Sequence, residues 1–250
     1  MSHPHRPAPP RWTAWLLALL VAAGTACAQS PAEHPAAGAG GPAAVAPLKR
    51  KPANVMSWEK ADWLEREGRA ESEKPELVLQ LMDLKPGMTV AEIGAGTGFF
   101  SRRIAKVVGP TGKVYAEDIQ PQMLDLLKQH TAAEGARNVV TVLGTETDPK
   151  LPARGVDRVL LVDVYHEFQK PEPMLAAIRG CLAPGGTVIL VEYRLEGDTA
   201  SHINIKHRMS VEQVLSEWTA AGFTLVRRSE DLPSQHVFIF SARRGARAPA

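Results

Sequence analysis

The sequence predicts an α/β fold in which a mostly parallel sheet is covered by helices on both faces. Two observations predict it. From residue 56 onward, short apolar runs alternate with helical patterns, and the first of those runs ends in a glycine-rich turn that opens a helix. No internal repeat interrupts the alternation.

Ahead of that pattern, residues 1–28 read as an export signal: basic residues, then the apolar run "WTAWLLALLVAAG" (Trp12 to Gly24), then small residues in "TACAQS". The run falls short of the roughly 20 residues a membrane-spanning helix needs. Ala26-Cys27-Ala28 fits cleavage before Gln29. A cysteine after small residues also resembles a bacterial lipoprotein signal, in which Cys27 would carry the lipid. Either outcome places the chain outside the cytoplasm, periplasmic or lipid-anchored at the cell envelope, whereas a true start at Met56 would leave it cytoplasmic. Either outcome also leaves Cys181 without an intramolecular disulfide partner, so Cys181 is expected as a small buried apolar residue near a helix end.

Residues 29–54 form an Ala/Pro/Gly-rich linker, since nine of the twenty prolines precede Ala53 and such a stretch cannot pack a core. The catalytic-size domain is expected at residues 55–245, with 246–250 as a tail. Its leading segment, Met56 to Glu71, carries Trp58, Trp63, Arg66 and Arg69 and could form a lid or simply pack on the sheet. A helix from about Pro75 to Leu84 and a "KPGM" turn then lead into the first strand.

Seven strands are expected, at Thr89–Ile93, Lys113–Glu117, Val139–Leu143, Arg158–Val162, Thr187–Tyr193, Thr224–Arg228 and Val237–Ser241. Helices are expected at Phe99–Val108, Pro121–Ala133, Pro173–Leu182 and Ser210–Ala221. In such a sheet the ligand crevice lies outside the carboxyl ends of the strands, where the strand order reverses.

Composition narrows the ligand. The 29 Lys and Arg against 27 Asp and Glu exceed neutrality only by Arg6 and Arg11, so the remainder is formally neutral and carries no electrostatic footprint for nucleic acid. The first turn reads Gly94-Ala95-Gly96-Thr97-Gly98-Phe99. A dinucleotide turn wants its third glycine where Phe99 stands, and no G-x-x-x-x-G-K-[ST] occurs, so NAD, FAD and a phosphate-cradling loop are disfavoured.

Glu92-Ile93-Gly94-Ala95-Gly96-Thr97-Gly98 resembles the first motif of the class I S-adenosylmethionine-dependent methyltransferases. "KVYAEDIQPQML", "GVDRVLLVDVYHEF" and "LAPGGTVILVEYR" are similar to that family's later motifs and follow in its order. The resemblance implies a Rossmann-like seven-stranded sheet and S-adenosylmethionine as cofactor, held by Glu92, Gly94, Ala95, Gly96, Gly98, Asp118, Ile119, Glu146 and Asp163. Alignment on "DIQPQML" selects Asp118 over Glu117 as the acid for the ribose hydroxyls, and a carboxylate suits two adjacent donors. Where many members have glycine then aspartate after the third strand, this chain has Gly144-Thr145-Glu146, so Glu146 is the stand-in.

The loop "DVYHEF" nominates Tyr165, His166 and Glu167 for the acceptor end, with His166 or Glu167 removing a proton if the acceptor carries one. Tyr193, His202 and His207 are weaker candidates. No metal is implied. The expected partner is a small-molecule methyl acceptor, because the loop lacks the N-P-P-Y type signature of adenine and glutamine N-methyltransferases and a lone Cys181 gives no thiol cluster. An export signal raises the question of cofactor supply, which keeps a second reading open: a non-catalytic exported binding module of the same fold.

Overall fold

The structure, a computed structural model, describes residues 51–243. The signal, nearly all of the linker, and the tail lie outside the described residues.

The chain enters through a 3-10 segment, Trp58–Glu65, and two short helices, α1 (Arg69–Glu73) and α2 (Pro75–Leu81). Strand β1 (Thr89–Ile93) feeds α3 (Phe99–Val108), β2 (Lys113–Asp118) feeds α4 (Pro121–Ala133), and β3 (Val139–Leu143) follows. Then come β4 (Val156–Val162), α5 (Pro171–Cys181), β5 (Leu182–Arg194), β6 (Arg208–Met209), α6 (Val211–Ala220), β7 (Phe223–Ser229) and β8 (Gln235–Ala242).

The sheet runs β3-β2-β1-β4-β5-β8-β7, with β6 paired to β5 off that path. Strands β1 to β5 are parallel, and β8 is antiparallel to both β5 and β7. The order reverses between β1 and β4, which puts the crevice at their carboxyl ends, beside the loops that begin at Gly94 and Asp163.

Central strands carry near-continuous apolar runs, interrupted by Glu92 in β1 and Glu192 in β5, because both faces are covered. Alternate residues go to opposite cores: Ala91, Leu161 and Leu190 join Ile178, Trp218 and Phe240 beneath α5 and α6, while Val90, Leu160 and Ile189 join Val78, Phe100 and Ile104 beneath α2 and α3. Trp218 is fully buried and stacks on Phe240 at 4.6 Å and 12°.

Two expectations need correction. An eighth strand, β6, is present, and its two residues are too few to leave a periodic signal. The strand expected from Thr187 begins instead at Leu182, and its span takes in Pro184-Gly185-Gly186 as a register irregularity against β4, with Gly185 at φ 85°. Cys181 is buried at the end of α5, its Sγ 3.0 Å from the Ile178 carbonyl, and burial pushes the thiol up to about 12.

Candidate active site

The β1–α3 turn is built by two glycines that tolerate no side chain. Gly94 and Gly96 sit at φ 67° and 53°, and a Cβ would come within 2.4 Å of Val164 Cγ2 and 2.5 Å of Leu64 Cδ1, respectively. Val164 belongs to the loop after β4 and Leu64 to the entering 3-10 segment, so the turn is gripped from two sides.

The backbone amides of this turn are already engaged by carboxylates of β2. Gly96 N–H donates to Asp118 Oδ2 at 2.9 Å, Gly94 N–H to Glu117 Oε2 at 3.3 Å, and Gln120 N–H to Asp118 Oδ1 at 2.9 Å. A phosphate group would need those same amides and would meet two carboxylates instead. Glu117 Oε1 is buried with no hydrogen-bond partner. Burial pushes Glu117 well above the usual carboxylate range, with Asp118 adding to the rise, and burial raises Asp118 as well.

These acids open on a cavity of about 860 Å³ that runs from the glycine turn to the loops after β4 and β5. Gly94, Gly96, Asp118, Ile119, Glu146 and Asp163 line it, and so do His166 and Glu167. Glu146 is half-exposed and 3.4 Å from Lys170. Asp163 occupies a left-handed backbone position (φ 50°) and is held well above its ordinary range by burial and by the neighbouring Glu73 and Glu192; Gln235 donates to its Oδ2 at 2.7 Å.

Four expected residues, Glu92, Ala95, Gly98 and Tyr165, do not line the cavity. Ala95 and Gly98 support the turn from behind, Ala95 through its N–H to the Glu117 carbonyl at 2.8 Å. Tyr165 is the clearest correction to the expected acceptor group. It is fully buried on the core side, its hydroxyl 2.6 Å from Glu217 Oε2 and its ring 5.3 Å from Trp218. Tyr165 and His166 are adjacent in the same 3-10 turn and project to opposite sides.

Glu92 also lies behind the turn, accepting from the Ser101 hydroxyl, and burial raises its carboxyl from 4.5 to about 7 against the opposing pull of Ser101, Arg69 and Arg102. A raised carboxyl favours the folded state in its protonated form. That contribution is complete below about pH 4.5 and is lost as pH rises through about 7. The rise corresponds to ~3 kcal/mol. Glu92→Gln should therefore flatten part of the decline in unfolding free energy between about pH 5 and 7.5; denaturant melts that decline identically for both proteins would reject this account.

At the far end of the cavity, His166 Nδ1 lies 2.7 Å from Glu192 Oε2, and its Nε2 lies 2.9 Å from His207 Nδ1. Glu192 is fully buried, and its other oxygen accepts the His166 backbone N–H at 3.2 Å. Glu167 Oε1 stands 3.9 Å from His166 Nε2 and accepts the Met56 N–H at 3.2 Å. Burial lifts Glu167 to about 7, and burial together with His166 lowers His207. Sequence reasoning missed Glu192, whose signal was a lone acid at the end of the apolar run "TVILVEYR".

The leading segment covers this cavity. Gln120 Nε2 donates to the Met56 carbonyl at 2.9 Å, the Trp58 N–H donates to Gln120 Oε1 at 3.0 Å, and Glu65 bridges Arg102 and Thr97.

A family model described as a methyltransferase domain matches residues 91–188. Among curated proteins, the chain is 29% identical over 114 residues to a protein-L-isoaspartate O-methyltransferase of Methanothrix thermoacetophila, covering 46% of this chain and 51% of that one. It is 30% identical over 121 residues to a ubiquinone/menaquinone biosynthesis C-methyltransferase of Ectopseudomonas mendocina, covering 48% and 47%. The chain thus spans about half the length of the curated relatives it matches. Among solved structures, a SAM-dependent methyltransferase from Aquifex aeolicus superposes with a TM-score of 0.70 at 27% identity, covering 74% of this chain and 98% of that one. A [4+2]-cyclase, SpnF, shares the fold at a TM-score of 0.59 and 15% identity, covering 72% and 86%.

Proposed function

We propose that this chain, a class I S-adenosylmethionine-dependent methyltransferase by its domain match and its structural likeness, transfers the cofactor's methyl group to a small acceptor held in the cavity of about 860 Å³. One observation carries the cofactor assignment at residue level: the glycine turn is closed by Glu117 and Asp118 rather than open to phosphate. That arrangement suits a ligand with sugar hydroxyls and a positive charge and without phosphate.

In this reading Asp118 would hold the ribose hydroxyls, and Ile119 and Glu146 would hold the adenine. Gly94 and Gly96 present bare backbone to the cavity, Asp163 would address the cofactor's polar tail, and Glu92, Ala95 and Gly98 hold the turn in shape. The cofactor supplies an electrophilic sulfonium methyl. The remaining work falls to the protein, which aligns the acceptor, excludes water under the Met56–Glu65 cover and provides a place for the acceptor's proton. His166, Glu167 and His207 form that place, with Glu192 fixing the orientation of His166.

The acceptor is proposed to be a small molecule because the cavity is roofed by the chain's own leading segment. The curated relatives are named for a protein acceptor in one case and for quinone biosynthesis in the other, so family likeness does not choose. The fold does not settle the chemistry either, since a [4+2]-cyclase shares it.

Titration of the full chain with S-adenosylmethionine, S-adenosylhomocysteine and NAD tests the proposal. Both sulfur nucleosides should raise the melting temperature in proportion to RT ln(1 + [L]/Kd), and NAD should not. No response to either nucleoside at millimolar concentration would overturn it. Binding with no labelled methyl transferred to any of a panel of phenols, amines and carboxylates would favour a binding module.

We also propose export, on the strength of the residue 1–28 pattern alone. No helix among the described residues is long and apolar enough to cross a membrane. Mass spectrometry of the mature protein should find it beginning at Cys27 or Gln29; peptides extending upstream of Cys27 would reject processing.

A further inference from the structure

We propose that His166, His207 and Glu167 form a binding site for one divalent transition-metal ion at the acceptor end of the cavity, with Glu192 orienting His166. The site itself follows from the donor geometry. Its use, holding the acceptor, rests on the methyltransferase reading.

His166 Nε2, His207 Nδ1 and a Glu167 carboxylate oxygen all lie within 4.8 Å of one another. From Nε2 the separations are 2.9 Å to His207 Nδ1 and 3.9 Å to Glu167 Oε1. Donors bound at about 2.0–2.1 Å to a tetrahedral ion stand roughly 3.3 Å apart, and the observed pair straddles that value. Sub-ångström shifts of side chains that end in a cavity are enough to admit an ion.

Glu192 supplies the second, independent feature. A metal-binding histidine almost always gives its other ring N–H to a carboxylate or carbonyl, which fixes the tautomer and directs the lone pair at the ion. Glu192 is fully buried and takes both the Nδ1 proton and the backbone N–H of His166. His166 therefore points an Nε2 lone pair toward His207 and Glu167. Without an ion, the two imidazoles share one proton along the 2.9 Å contact, with His207 donating. With an ion, that proton moves to His207 Nε2 and both lone pairs face the metal.

The donor set selects the metal. Two imidazoles and one carboxylate suit Zn²⁺, Co²⁺ or Fe²⁺ and disfavour Mg²⁺ and Ca²⁺, which prefer all-oxygen shells. Three protein ligands leave an open position, and all three residues line the cavity. A hydroxyl oxygen of the acceptor is the ligand such a position takes, and with the ion bound the lowered pKa of that hydroxyl replaces the three side chains as the means of releasing its proton.

The test uses the full chain, stripped of metal by chelation and titrated with Zn²⁺, Co²⁺ and Mg²⁺ by calorimetry, with Co²⁺ visible absorption reporting coordination number. One equivalent of Zn²⁺ or Co²⁺ should bind, with the absorption of a four- or five-coordinate ion, and Mg²⁺ should not compete. His207→Ala should weaken binding on the order of 100-fold or more, and Glu192→Gln about 10–100-fold. His207→Gln is the second variant if the alanine form melts early. No binding by the wild type, equal binding by the folded His207 variants, or competition by Mg²⁺ would overturn the site. Homocysteine-nucleoside binding to the metal-free protein is read separately, so the cofactor reading and the ion can fail independently.

Discussion

Asp118→Ala should lower the affinity for S-adenosylhomocysteine by on the order of 10²–10⁴, because two hydroxyl donors to a carboxylate contribute about 1.5–3 kcal/mol each. The loss has two sources that a second variant separates. Asp118 also closes the turn by accepting from Gly96 and Gln120. Asp118→Asn keeps an acceptor oxygen for one of those amides and should bind more tightly than the alanine form while still falling well below the wild type. Calorimetric titration of both, alongside cofactor-free melting curves, distinguishes a lost ligand contact from a loosened loop. Alanine binding within about threefold of wild type would move the ribose contact to Glu117, whose Oε1 is buried and lacks a partner.

Trp218→Ala should give the largest loss of stability, ~3–5 kcal/mol, as expected for emptying a large aromatic site. Trp218 is fully buried where α6 meets the sheet, contacting Tyr165 at 5.3 Å, Phe223 at 4.9 Å and Phe240 at 4.6 Å. For a domain of this size that is a fall of roughly 10 °C or more in Tm. Trp218→Phe should cost far less, since the indole N–H is buried without a partner and phenylalanine removes that orphan. Similar losses for the two variants would reject filled volume as the source of the stabilisation. Because Tyr165 leans on Trp218 and precedes His166, the alanine form should also weaken metal binding at His166.

The candidate site was half legible. Gly94, Gly96 and Asp118 announced themselves because turn chemistry and an acid at a strand end are local signals, read within a few residues. His166 was visible as a polar residue in a loop after a strand, and its neighbour Tyr165 carried the same signal with the opposite outcome. Nothing in "DVYHEF" says which of two adjacent side chains turns toward the crevice; the aromatic pocket of Trp218 and the hydroxyl contact with Glu217 decide it.

By itself the sequence determined the parallel α/β layering, the limits of α3 and α4 at Phe99–Val108 and Pro121–Ala133, and the character of the first turn. Those follow from periodicity, proline at helix starts and glycine at left-handed positions, all of which act over one or two turns of chain. Only the tertiary structure decided that Glu117 and Asp118 fold back onto the turn, that Glu192 backs His166 across 26 residues, and that His207 arrives across 41. Those meetings depend on β2, β1, β4 and β5 lying side by side, so that residues distant in sequence end at the same edge of the sheet.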